Sequence, residues 1–290
     1  MNDGSLARFA TPLLARRDHH RPSVFRPENM LREARRQKGL GAGRVPRVCV
    51  LDPDGDICDH VRRHRDARPS GAWACYHTRL WEWEQDGVPH GIVGCAVGGS
   101  FSVLVAEQLF VSGCEFLISI ASAGQIADTV PPPCYILIAR ALRDEGTSHH
   151  YVPPAEYARL DPALQTLSIN AFRDAGIAVQ VGASWTTDAP FRETAEMIAA
   201  RKSAGILTVE MEAAALYAFA EARDVPVVCL AHVSNQLGCV DGDFEKGDGN
   251  GVLGSMALIS TLTSAWRASR AFASEAGTGS REEGALSVNL

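Results

Sequence analysis

Residues 208–220 read TVEMEAAALYAFA. Two carboxylates, Glu210 and Glu212, flank Met211 just before a run of small and apolar residues. Ala, Leu, Met and Glu are good helix formers, so the stretch predicts a helix that opens on two acids. The neighbouring residues ILTV and AAALYAF are apolar, which puts the acids at the lip of a pocket. A carboxylate is also favoured at a helix N-terminus by the helix dipole, so a structural role stands beside the chemical one.

Six other stretches place polar or small residues where an apolar run ends. They are DPDGD (52–56), VGGS (97–100), IASAGQ (120–125), RDEGTSHHY (143–151), WTTDAPFRET (185–194) and HVSNQ (232–236). Ligands of open α/β sheets bind on loops that follow strands. In VGGS, Gly98, Gly99 and Ser100 offer free N–H groups suited to an anion such as phosphate. A tight turn explains the same residues equally well, and no GxGxxG or P-loop spacing is present. Ser122, Ala123 and Gly124 would let a flat ligand approach the backbone, or a helix approach the strand. His149 and His150 are adjacent, which fits a solvated pair better than a metal site, and nothing in the chain has metal-ligand spacing.

The elements that must position these residues alternate. Short β-rich runs at 47–52, 114–122, 134–142, 178–187 and 225–235 are separated by helical patterns at 100–113, 191–205 and 251–273. The run 73–87, with its Asp86-Gly87 turn, predicts a hairpin leading into 90–99. Alternation of this kind predicts a three-layer α/β/α domain with a mixed, largely buried sheet. The division expected is an arginine-rich arm at 1–44 with one amphipathic helix, a domain at 45–276 and a flexible polar tail at 277–290.

At 290 residues, 46% hydrophobic and 21% charged, the chain is long enough for one full core. A net charge of -6 argues against a general nucleic-acid binder. No apolar run is long enough to span a bilayer, and no secretory signal opens the chain. Its 8 cysteines include no CxxC pair and fall largely in apolar runs, which fits a reducing, cytoplasmic setting.

Taken in order, the stretches from 47 to 275 resemble the nucleoside phosphorylase superfamily of purine nucleoside phosphorylases, uridine phosphorylases and nucleosidases. VEMEAAALYAFA carries the most specific likeness. The resemblance implies a partly barrel-like central sheet and cleavage of a nucleoside's N-glycosidic bond. It implies that Met211 packs on the sugar, Glu212 accepts the 2′- and 3′-hydroxyls, and Glu210 lies near the 2′-hydroxyl. A carboxylate there would favour the positive charge that develops on the ribose. Phe191 resembles the aromatic residue that stacks on base or sugar. Ser122, Ala123 and Gly124 resemble the strand end beside the base, and Ser234 and Asn235 a Ser-Asp pair that protonates it. Asn235 is an amide and cannot act as an acid, which favours a 6-oxopurine or a pyrimidine. Arg192 and Gln236 are candidates for reading the base, and His150 for the 5′-hydroxyl or a neighbour's site.

The likeness is weakest where phosphate would sit. Gly55 and Asp56 match the family's glycine loop, but its arginine position falls at Asp59. A second arginine position falls at Ser119, and a third near Tyr76, with Arg79 close by. Arginine makes the strong charge-assisted bonds to a dianion. A replacement phosphate site would draw on Gly55, Gly98, Gly99, Ser100 and Ser119, or on Arg62, Arg63, Arg79 or an arm arginine. Phosphorolysis to base and pentose 1-phosphate is the family default and the first expectation, with inorganic phosphate as co-substrate and no other cofactor. Hydrolysis by water is the alternative that the missing arginines favour, and a non-catalytic nucleoside binder is the third. The resemblance also implies a dimer-based homo-oligomer, up to a hexamer, acting on a small-molecule nucleoside with no nucleic-acid or membrane partner.

Overall fold

The computed structural model describes Leu13 and residues 18–129, 131–238, 241, 243–244 and 246–282, with side chains described to 272. Helix α1 (Pro27–Lys38) is followed by β1 (Val48–Asp52), α2 (Asp56–His64), β2 (Arg68–Pro69), β3 (Trp81–Gln85) and β4 (Val88–Gly94). Then come α3 (Gly99–Val111), β5 (Phe116–Gln125), β6 (Cys134–Asp144), α4 (Ser148–Tyr151), β7 (Tyr157–Arg159) and α5 (Pro162–Asp174). The chain continues through β8 (Gln180–Thr187), α6 (Ala195–Ser203), β9 (Ile206–Glu210), α7 (Ala213–Arg223), β10 (Val227–Asn235) and α8 (Val252–Glu282).

The sheet runs β10-β6-β8-β9-β5-β1-β4-β3-β2, and β10 also pairs with β5. The strands β5, β10, β6, β8 and β9 therefore close into a barrel, while β1 and its neighbours continue from β5 as an open wing. This is the three-layer, partly barrel-like architecture expected from the sequence. Strands β1, β4, β5 and β10 are mutually parallel, so their C-terminal ends open on one side. There the end of β9 meets the end of β5, with Gly124 opposite Val209. Helices α1, α3, α4 and α7 form one packed group, and α2, α5 and α8 another.

The Asp86-Gly87 turn has both residues at positive φ, 53° and 70°, as a two-residue hairpin demands. The hairpin is shorter than expected: residues 73–80 form an irregular segment whose Trp73, Ala74 and Cys75 are buried. Ala74 packs with Leu31 and Ala34 of α1, which ties the end of the arginine-rich arm to the domain. The TVE segment is the end of a strand rather than a helix start. Ile206, Thr208 and Val209 are β-branched and suit β9. Helix α2, built on what reads as a turn, and short β7 are further elements that periodicity does not reveal. At the C-terminal end, α8 continues past 277 to Glu282. The rest of the expected tail, like most of residues 1–17 and Cys239, lies outside the described residues. The seven described cysteines are free thiols. Among the described residues, no helix is long and apolar enough to cross a membrane.

Candidate active site

The corner between β9 and α7 answers why a buried helix is preceded by two acids. Glu210 Oε1 accepts the hydroxyls of Ser184 and Thr186 at 2.9 and 2.6 Å. Its Oε2 accepts the backbone N–H groups of Glu212 and Ala213, both at 2.7 Å. A carboxylate has about four acceptor positions, so Glu210 is saturated. It caps α7 from below while also lining the cleft. Glu212 is used differently. Its Oε1 accepts the Gly98 N–H at 2.6 Å and its Oε2 the Met211 N–H at 3.3 Å. About two acceptor positions stay open, enough for a pair of neighbouring hydroxyls. Burial, then the charge of Glu210, pushes the Glu212 carboxyl up to about 8. Burial raises Glu210 as well, against its donors. Glu212 has the fewer donors of the two.

The Gly98 N–H expected for an anion is thus taken by a carboxylate of the chain itself. Gly98 delivers it at φ +85°, a conformation that suits glycine. A Cβ on Gly99 would lie 2.8 Å from the Ala215 Cβ, so this glycine serves the close packing of α3 on α7.

The corner between β1 and α2 supplies a second acidic wall. Asp52 is buried, accepts the Cys58 N–H at 2.8 Å, and is pushed up to about 7 by that burial. Asp54 is held by Ser122, which donates its N–H at 2.9 Å and its hydroxyl at 2.7 Å. Lys246 reaches back from the segment after β10 to lie 2.6 Å from Asp56 and 3.6 Å from Asp54. Asn250 donates to the other Asp56 oxygen at 3.1 Å.

Between the two corners lies a cleft of about 320 Å³, a size at the low end for small-molecule sites. Of the expected residues, Glu212, Glu210, Met211, Ser122, Ala123, Gly124, Asn235 and Phe191 line it. Phe191 is 98% exposed, held at the mouth without protein packing. Asn235 is buried and its Oδ1 accepts the Leu237 N–H at 3.0 Å, an Asx turn that starts the segment carrying Lys246.

The remaining expected residues are not on the cleft wall. Ser234 and Ser119 are buried in their strands. Arg192 and Gln236 are exposed, and the Gln236 N–H is spent on Asp243. Gly55 begins α2, and its carbonyl accepts the Asp59 N–H. His150 and Ser100 line a separate groove between residues 19–30, α3, α4 and α7. Asp59 pairs with Arg62 and Arg63 at 3.0 and 3.2 Å, and neither arginine lines the cleft.

Asp54, Glu193, Leu237 and Phe244 also line the cleft and escape a reading of the sequence. Asp54 had a signal, since it lies inside the DPDGD strand end; the others are set by the fold. Burial raises the Glu193 carboxyl, and its backbone N–H donates to the Pro190 carbonyl at 3.4 Å. No Lys or Arg lines the cleft among the described residues. No group of three or more His, Cys, Asp or Glu side chains is placed there or elsewhere among them to hold a metal ion.

The chain is similar to several known proteins. Uridine phosphorylase of Thermococcus kodakarensis is 24% identical over 213 residues, covering 67% of this chain and 72% of its own length. Guanosine phosphorylase of Halorubrum lacusprofundi is 23% identical over 195 residues, covering 67% and 75%. Among solved structures, uridine phosphorylase from Vibrio fischeri superposes with a TM-score of 0.63 at 19% identity, over 79% of this chain and 93% of its own. The Campylobacter jejuni 5′-methylthioadenosine/S-adenosyl homocysteine nucleosidase superposes with a TM-score of 0.62 at 15% identity, over 76% and 98%. The phosphorylase superfamily profile matches residues 47–257, and the chain belongs to that superfamily.

Proposed function

We propose that this protein cleaves the N-glycosidic bond of a nucleoside with water, rather than phosphate, as the nucleophile. The observation that carries the reading is the wall of the cleft. Four carboxylates, Asp54, Glu193, Glu210 and Glu212, line it, and no cationic side chain does among the described residues. A phosphate dianion would meet acidic groups on this wall and none of the arginines that usually compensate it. A neutral water meets no such barrier.

In this reading the sugar hydroxyls donate to the two open positions of Glu212. As C1′ becomes cationic, the charge strengthens those bonds. Asp54, fixed by both donors of Ser122, takes a proton from water as the oxygen attacks C1′. The C1′–N bonding pair leaves with the base, which picks up a proton from solvent. Phe191 and Phe244 offer faces for the base, and Glu193 favours a base with N–H donors on its edge. No cofactor is required. The superfamily resemblance adds a dimer-based homo-oligomer to the proposal, read out by light scattering.

The test is base release from guanosine, inosine, adenosine, uridine and thymidine with and without phosphate. Equal release, with free pentose as the product, is expected. Phosphate-dependent release with pentose 1-phosphate would return the chain to phosphorolysis, and binding without release would favour the non-catalytic reading.

A further inference from the structure

Lys246 is the unusual residue of this region. It is far from Asp54 in sequence and off the cleft wall, yet its ammonium is the cation that the structure places against the acidic β1–α2 corner. Three features show that the contact is built. Lys246 is largely buried, with its side chain 24% exposed. Asn250 fixes the Asp56 carboxylate from the same segment. The Asn235–Leu237 turn and the Asp243 carboxylate, which accepts the Gln236 and Gly238 N–H groups, shape the start of that segment.

We propose that Lys246 is a positioning residue for the nucleophile. From beyond β10 it clamps the β1–α2 corner and keeps the Asp54 carboxylate aimed into the cleft. The inference rests on the water-activation reading above and adds a specific device to it. Asp54 stands among carboxyl groups: Asp52 and Asp56 on its own loop, Asp59 on α2 and Glu212 across the cleft. Acids this close disfavour one another's charged form, and the Lys246 ammonium at 3.6 Å offsets that repulsion. The other titratable groups facing this cluster are Cys95, raised first by burial and then by these acids, and His232, lowered first by burial and then by Lys246. Neither supplies a positive charge near neutral pH. Burial pulls the Lys246 ammonium down, but its bond to Asp56 and the charges of both aspartates more than reverse this, so it stays charged.

The experiment is the dependence of kcat on pH, which reports the enzyme–substrate complex, where sugar hydroxyls hold Glu212 ionised. Lys246→Met should move the acid limb of kcat up by about one to two pH units and recover much of the rate at high pH. Lys246→Arg should leave the limb in place. Asp56→Asn frees Lys246 for Asp54 and removes a neighbouring negative charge, so the limb should move down. Opposite movements distinguish this role from damage to the fold, which moves neither limb. An unmoved limb in Lys246→Met and Asp56→Asn, at any level of activity, overturns the inference. Asp54→Asn separates it from its foundation. A fully active Asp54→Asn enzyme sinks water activation itself, whereas an inactive one beside unmoved limbs sinks only the role of Lys246.

Discussion

Two corners of the molecule repeat one plan. At the end of β9, Glu210 turns inward and binds backbone N–H groups at the start of α7, while Glu212, two residues on, faces the cleft. At the end of β1, Asp52 turns inward and binds the Cys58 N–H in the first turn of α2, while Asp54, two residues on, faces the cleft. In each case the inner acid builds the corner and the outer acid faces the cleft. The corners differ in how the outer charge is managed. Glu212 has backbone donors and a like-charged neighbour, and is pushed up to about 8. Asp54 has Ser122 and a lysine within 3.6 Å. One acid is thus raised by burial and a like-charged neighbour, and the other is fixed between a serine and a lysine.

The largest expected effects fall on the outer acids. Glu212→Gln should lower kcat/KM by about 10³-fold, most of it in kcat, because its bonds strengthen in the transition state. A loss confined to KM would break the assignment. In the intact enzyme kcat/KM should rise with pH through about 8, where Glu212 ionises in the free protein. Asp54→Asn should cost about 10²-fold or more in hydrolysis. If the variant instead gained phosphate-dependent turnover, the second corner would be an anion site masked by its own acid.

The two corners were not equally legible. VEMEAAALYAFA announced itself because acids interrupt an otherwise apolar stretch, although β-branched Thr208 and Val209 belong to a strand that the alanine-rich run obscured. DPDGD looked like an ordinary acidic turn. The groups that orient Asp54 lie on β5, through Ser122, and beyond β10, through Lys246, and local periodicity carries neither distance. Matching the family's loop by position points to Asp59, which sits on α2 paired with Arg62 and Arg63, a pairing that only the fold reveals. The alternation of strands and helices, by contrast, is a local signal, and it fixed the layer architecture, while closure of the barrel by β10 on β5 is a long-range pairing that no local pattern reveals.

The inner acids should govern stability rather than chemistry. Glu210→Gln replaces a saturated acceptor with a group that must turn an amide toward two of its four donors, at a cost of about 3 kcal/mol. Denaturant unfolding would measure it, and an unchanged midpoint would break the division of labour. Glu212→Gln should do the reverse. The Glu212 carboxyl is raised from 4.5 to about 8 in the folded protein. Its contribution to stability is therefore full below about 4.5 and is lost as pH rises through 8. The intact protein and the Glu212→Gln variant should melt together near pH 5, with the variant the more stable by pH 9. Parallel melting curves across that range would mean that the Glu212 carboxyl is not raised.

The smallest effect is expected at Asp59, and it sharpens the comparison because the family's arginine position falls there. Its carboxylate is 49% exposed and shared between Arg62 and Arg63 on the outer side of α2. Such exposed pairs are worth about 0.2–1 kcal/mol, so Asp59→Asn should change kcat/KM less than twofold and lower stability only slightly. Asp59→Arg is the more telling substitution. If sequence position alone defined the nucleophile site, a restored arginine would bring phosphate dependence with it. On the outer face of α2 it would instead meet Arg62 and Arg63, lose stability through like charge, and leave turnover indifferent to phosphate. A phosphate-stimulated Asp59→Arg enzyme would show that α2 can turn this face inward, and the acidic wall would then describe a resting corner rather than the working one.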